Sequence, residues 1–220
     1  MHTAVALRSG QVYNTVVKST RTATVILLIA LALGTGVRIS ANLLKRTVEH
    51  DECIYILSAT GHQSAYADIV SGEHAPLGEW TPASRWKELL LIDDKFCFQR
   101  ISRDLARYDI HPPLYFWALH TWSIFFGIHH WTGLSLNLLI FLFTAAVLFQ
   151  LARSTLSNDI NAAAVVLLWA LSPYSALVST YARPYELFVL WTVLAVWQIN
   201  ELAKAPEKPP WRAFGVRRPS

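Results

Sequence analysis

Three short stretches of this chain hold side chains suited to chemistry at a phosphate or a hydroxyl. "HDECIYI", residues 50–56, carries Asp51 and Glu52 side by side. "YDIHPPLYFW", residues 108–117, sets Asp109 and His111 directly before two prolines. "YARPYEL", residues 181–187, offers Arg183 and Tyr185. A carboxylate can act as a general base or ligate a metal. A guanidinium suits a phosphate, because its planar fork gives two oxygens parallel hydrogen bonds and never loses its charge. Proline after His111 biases that residue away from the α region, and Pro113 suits a helix start, so His111 and Asp109 are held stiffly at the mouth of the apolar run that follows. Alone, each stretch also fits a plain structural role: a solvated loop start, a surface histidine at a helix start, an arginine anchoring a helix end.

The elements that must position these groups are apolar. Of 220 residues, 53% are hydrophobic and only 15% charged. Mean hydropathy is +0.32, which puts the membrane class first. Thr24–Leu44 is long enough to span a bilayer, at about 31 Å as a helix. It lacks a clear small-residue cleavage site and is read as a retained first transmembrane helix. Arg38, near its far end, is expected to snorkel to the interface. Four more apolar runs follow: Pro113–Ile128, Leu134–Ala152, Ala162–Val178 and Pro184–Asn200. Between the first run and the others, "SRWKELLLIDDKFCFQRISRDLARYD" mixes apolar and charged residues at helical spacing. It predicts amphipathic helices lying on the membrane or on the protein.

Charge sets the expected topology. Residues 1–23 carry three basic side chains and no acid, and residues 201–220 carry five basic and two acidic. The positive-inside rule puts both ends in the cytoplasm and the polar loop 45–112 outside. Two cytoplasmic ends need an even number of crossings, so one of the five runs must not cross. Pro113–Ile128, short and opened by two prolines, is the expected re-entrant or interfacial helix. With four crossings Asp51, His111 and Arg183 face one side. The fold class is therefore all-α integral membrane: about four transmembrane helices plus amphipathic or re-entrant helices in a long first outer loop. The domains run 1–23 (cytoplasmic), 24–200 (membrane) and 201–220 (a basic, proline-rich tail, expected to be disordered). Cys53 and Cys97 share the outer loop; a disulfide and two free thiols both fit. No basic–aromatic pattern points to nucleic acid.

The acidic pair after the first membrane helix, "D-x-HPPLY", and "ARPY" after a helix ending "LSP" together resemble the polytopic membrane glycosyltransferases of the protein O-mannosyltransferase and lipid A aminoarabinose transferase superfamily, of GT-C type, and its bacterial branch in particular. The likeness covers residues 24–200. It implies transfer of a sugar from a polyprenyl-phosphate donor to a lipid, glycan or protein acceptor outside the cytoplasm, in a bacterial inner (plasma) membrane. Asp51 matches the family's acidic residue in the first outer loop, the candidate base, with Glu52 beside it. Asp109 and His111 match the residues before the two prolines and shape a substrate site. Arg183 matches the arginine taken as the phosphate contact, and Tyr185 follows it in the motif. Many relatives carry glutamate where this chain has Tyr181, so no second acidic residue is carried over. The acidic residues are compatible with a divalent cation but lack diagnostic ligand spacing. Members are considerably longer, so the resemblance implies a chain truncated to its N-terminal half, which opens the alternative of a non-catalytic membrane protein or assembly partner. A transporter fits less well, because the ionisable residues gather at membrane edges rather than at helix midpoints.

Overall fold

The computed structural model describes residues 2–71, 80 and 82–204, with side chains from residue 20 onward. These residues form ten α-helices: α1 (His2–Leu44), α2 (His50–Thr60), α3 (Gln63–Ser71), α4 (Ala83–Glu88), α5 (Phe98–Tyr108), α6 (Leu114–Phe126), α7 (Thr132–Leu156), α8 (Asp159–Ala170), α9 (Pro173–Val178) and α10 (Tyr185–Lys204). No strand occurs among the described residues. Three segments, Thr20–Leu44, Thr132–Leu156 and Tyr185–Lys204, are long and apolar enough to cross a membrane. The chain is thus an all-helical protein of membrane type. The first helix is longer than the apolar run predicts, reaching back to His2, and the last extends to Lys204. The rest of the expected tail, 205–220, lies outside the described residues, as do Met1 and residues 72–79 and 81 of the polar loop.

Helices α1, α7, α8 and α10 form a bundle, and α2, α3, α5 and α6 form a cap over one end of it. The bundle core gathers Ala30, Phe141, Ala145, Val166 and Ala170. Small residues let α1 and α8 close up, as packing between apolar helices in lipid requires. A Cβ on Gly34 would fall 2.9 Å from Phe141 Cζ and 3.0 Å from the Ala170 Cβ. The cap core joins Tyr55, Ile101, Leu105 and Phe116. Helix α5 is the amphipathic helix expected from the sequence, and it lies on the protein: Ile101 and Leu105 face inward while Arg103 and Arg107 are exposed.

Two expectations change. Ala162–Val178 is not one continuous helix. It breaks after Ala170, where Pro173 has no N–H to continue the ladder and Ser172, in a non-helical conformation, caps α9 by accepting from the Ser175 N–H. Arg38 does not snorkel. Its side chain is fully buried at that break. It donates to the carbonyls of Ala170 (2.9 Å) and Gly34 (3.1 Å) and to the hydroxyls of Ser175 (2.6 Å) and Ser179 (3.0 Å). Glu186 lies 3.8 Å away, and the Phe141 ring lies beneath the guanidinium at 3.9 Å. A broken helix leaves carbonyls without partners, and in an apolar bundle an arginine fork is well suited to satisfy them.

Helix α6 covers the expected short run as thirteen residues, about 20 Å long. Gly127, at φ 74°, ends it. His111, before α6, meets Tyr55 of α2; His130, after it, borders a small cleft with Lys45, Arg46 and Val48. The two flanks of α6 therefore both meet the stretch that follows α1, His130 beside residues 45–48 and His111 against α2.

Candidate functional site

The loop between α9 and α10 carries Arg183, and side chains from three other elements grip its backbone. Asn137 of α7 donates to the carbonyls of Ser179 (3.0 Å) and Tyr181 (2.6 Å). Lys45 donates to the Thr180 carbonyl at 3.1 Å, and the Ala182 N–H donates to Glu52 at 3.0 Å. Gly133 lets α7 touch this loop: a Cβ there would sit 2.6 Å from both the N and the Cα of Ala182. Helical extension is thus replaced, group by group, by side-chain bonds, and the buried loop keeps these backbone groups paired.

Arg183 emerges from that grip. Its Nη2 donates to Asp51 Oδ2 at 2.5 Å, with Glu49 Oε2 3.7 Å away, and its Nη1 donates to the Tyr185 hydroxyl at 3.2 Å. The rings of Tyr181 and Tyr185 flank the guanidinium at 5.7 and 5.8 Å. Its Nε is buried without a partner. Burial by itself would lower the arginine's pKa, but the Tyr185 hydroxyl and the charges of Asp51 and Glu49 outweigh it and hold it above its ordinary value. The side chain keeps its charge, and its buried Nε–H is unspent.

The two acidic neighbours of the first motif occupy different places. Asp51, in the first turn of α2, stays 57% exposed at its side chain and faces Arg183. Glu52 is buried, with one oxygen on Lys45 Nζ at 2.5 Å and the other on the Ala182 N–H. Its contacts are those of a group that fixes the Arg183 loop. Nothing in the sequence separates these neighbours, because which one turns inward depends on how α2 sits against the bundle.

A second set lies one turn along α2. Asp109 Oδ1 is 2.5 Å from His111 Nδ1 and also accepts the Ile110 N–H at 2.6 Å. His111 Nε2 is 2.9 Å from the Tyr55 hydroxyl. The Tyr55 ring stacks on Phe116 at 5.2 Å. Burial, then the charge of Asp109, pushes the Tyr55 phenol up to about 12; Arg183 opposes the shift. Asp51 and Tyr55 are four residues apart in α2 and so share one helical face. The structure therefore brings Asp51, Arg183, Tyr185, His111 and Asp109 to one end of the bundle, with Tyr55 linking the two sets. Tyr55, Lys45, Asn137 and Gly133 were not singled out from sequence. Tyr55 alone had a readable signal, its i, i+4 spacing from Asp51 within a quoted motif.

Among the described residues no group of three or more His, Cys, Asp or Glu side chains could hold a metal ion. Cys53 and Cys97 are both free thiols, the first exposed and the second buried. An open apolar groove of about 1000 Å³ runs along α6 from Leu114, with Phe98, Trp117, Trp122 and Phe126 in its walls.

Compared with known proteins, the chain matches no family model, no curated protein and no solved structure. Fold and site together define a class: an all-helical protein of membrane type with a polar, tyrosine-lined Arg–Asp and His–Asp constellation under a helical cap. The resemblance to GT-C glycosyltransferases rests on the three motifs alone.

Proposed function

We propose that this chain takes part in sugar transfer from a polyprenyl-phosphate donor to a hydroxyl acceptor, at the non-cytoplasmic face of a bacterial inner membrane. In this reading four segments cross: α1, α7, the α8–α9 pair and α10. Helix α6 does not cross; it is proposed to lie at the interface, and its two flanks both meet the stretch that follows α1. The observation that carries the proposal is Arg183, a charged fork with an unpartnered Nε, fixed by its loop and balanced by an exposed carboxylate that an incoming phosphate can displace. A polyprenyl donor cannot leave the bilayer, so its phosphate sits at the interface. A fixed cation there opposes the negative charge that builds on the departing phosphate. The prenyl chain is proposed to lie in the apolar groove along α6. Asp51 is the base that the family resemblance assigns; the reaction class and the role of Arg183 do not depend on which group takes the acceptor's proton.

The test is transfer of labelled sugar from purified polyprenyl-phosphate donors by the full chain in lipid nanodiscs. Arg183→Ala is expected to lower transfer roughly 10²–10³-fold, as loss of one charge-stabilising donor does. Undiminished transfer in Arg183→Ala overturns the assignment. A second reading, a non-catalytic assembly partner, is favoured by the Asp51–Arg183 pair acting as a tie between α2 and the start of α10. Under it, wild type transfers nothing and Arg183→Ala weakens only folding or complex formation.

A further inference from the structure

We infer that Asp109, His111 and Tyr55 form a proton relay: Tyr55 meets the acceptor hydroxyl, and His111 is the base at which the proton comes to rest. This rests on the transfer reading above and differs from the resemblance, which places the base at Asp51.

The argument starts from the two nitrogens of the imidazole. An ionised carboxylate only accepts hydrogen bonds. Asp109 Oδ1, 2.5 Å from Nδ1, therefore fixes the proton on Nδ1. The Ile110 N–H on the same oxygen holds the carboxylate in place. In the neutral imidazole Nε2 then carries the lone pair, and the Tyr55 hydroxyl at 2.9 Å is the donor. A histidine with one nitrogen tied to a carboxylate and the other receiving from a hydroxyl is the arrangement that activates hydroxyls in hydrolases and transferases. The stacked, buried ring aims the phenol, and its oxygen keeps lone pairs free to accept. A phenol is protonated at neutral pH and burial only pushes its pKa further up, so in this relay it donates to His111 and does not act as a phenolate.

Location supports the role. Asp51 and Tyr55 sit on one face of α2, their Cβ atoms about 5–6 Å apart by helical geometry. Asp51 carries Arg183, so the phosphate end and the proton-taking end are one helical turn apart. Asp51 itself is engaged: Oδ2 with Arg183 and Oδ1 facing His50 Nδ1 at 3.5 Å. It serves as the counter-ion of the arginine. The titratable and charged groups that face the relay are Asp109 from the end of α5 and, around the Tyr55 hydroxyl, Tyr185, Arg183 and Asp51. Helix α6 contributes the Phe116 ring and the buried Tyr115 phenol, which feels the charge of Tyr55.

The step balances without an oxidant or a metal. The acceptor's O–H proton moves to the Tyr55 oxygen as the Tyr55 proton moves to His111 Nε2. The acceptor oxygen's electron pair forms the bond to the anomeric carbon. The bond from that carbon to the phosphate oxygen breaks, and its pair leaves on the prenyl phosphate beside Arg183. The imidazolium is offset by Asp109 and, 36% exposed, returns its proton to water.

Two measurements decide it. In ¹⁵N-histidine-labelled full chain in nanodiscs, the resonances missing from His111→Gln report His111. They are expected to show Nδ1 protonated and Nε2 bare at neutral pH; protonated Nε2 overturns the relay whether or not transfer is detected. In the transfer assay, the isosteric Tyr55→Phe and His111→Gln are expected to lower kcat about 10²–10⁴-fold with donor KM little changed. The acid limb of the pH–rate profile should vanish in His111→Gln and persist in Asp51→Asn. An acid limb that survives His111→Gln and vanishes in Asp51→Asn overturns the relay while the transfer reading stands. Wild type inert toward every donor overturns the transfer reading, and the tautomer measurement still judges the relay.

Discussion

Gly133→Ala is the sharpest test of how the Arg183 loop is held. The new Cβ would stand 2.6 Å from the N and Cα of Ala182 and 2.7 Å from its Cβ. Carbon atoms rest at about 3.5–4.0 Å, so relief needs about 1 Å of separation. The obstacles are largely backbone, so no rotamer change supplies that space. Asn137, Lys45 and Glu52 all resist the loop's retreat. Overpacking of this kind costs about 1–3 kcal/mol. For a chain of this size each kcal/mol moves Tm by about 2–4 °C, so a fall of roughly 2–12 °C is expected. A guanidinium misplaced by about 1 Å is expected to cost up to roughly 10²-fold in transfer. Thermal unfolding in detergent and the transfer assay measure the two effects. Ala182→Gly in the same chain removes only the Cβ contact, so it should restore a minor part. Gly36→Ala is the control: nothing lies within 4 Å of its Cβ, and helix propensity alone predicts an unchanged or raised Tm. Gly133→Ala with wild-type Tm and wild-type transfer refutes the close approach and, with it, the account of how Arg183 is fixed.

Arg38→Met should strand the buried Glu186 and uncap the end of α8, at a cost of about 3–5 kcal/mol; a wild-type Tm in that variant refutes the interhelical role of Arg38. Tyr55 gives a pH-dependent term with a definite sign. Its folded pKa lies above the ordinary 10.0, so its contribution is complete below that value and is lost as pH rises through about 12. Circular dichroism from pH 9 to 12 should show an alkaline phase of unfolding that Tyr55→Phe diminishes. Alkylation followed by mass spectrometry should find two free thiols, with exposed Cys53 modified first and buried Cys97 only on unfolding; burial and then the Glu52 charge push the Cys53 thiol up, so even its reaction should be slow at neutral pH. Arg183→Cys in intact cells is expected to react with an impermeant maleimide, and reaction only after permeabilisation refutes the four-crossing arrangement.

The sequence exposes those parts of the architecture that depend on neighbours along the chain. Apolar runs of sufficient length mark α1, α7 and α10, because a bilayer demands length and hydrophobicity of each helix separately. The double proline marks the start of α6, and the first-turn acids mark α2. The α8–α9 break was also within reach, since Ser172–Pro173 is a local stop signal, but the apolar residues on both sides of it hide it. Arg38 was misjudged for the opposite reason. Whether a charged side chain near a helix end reaches water or turns inward depends on unpaired carbonyls in a helix more than a hundred residues away.

The candidate site divides along the same line. Residue types and spacing alone nominate Asp51, His111, Asp109 and Arg183, because proline stiffness and charge at an apolar boundary are local properties. Only the folded chain pairs Asp51 with Arg183, turns Glu52 inward against Lys45, and sets Tyr55 on His111. Those contacts join residues from 7 to 132 positions apart. They depend on the rotation of α2 about its own axis and on the close approach that Gly133 permits, and a one-dimensional pattern records neither.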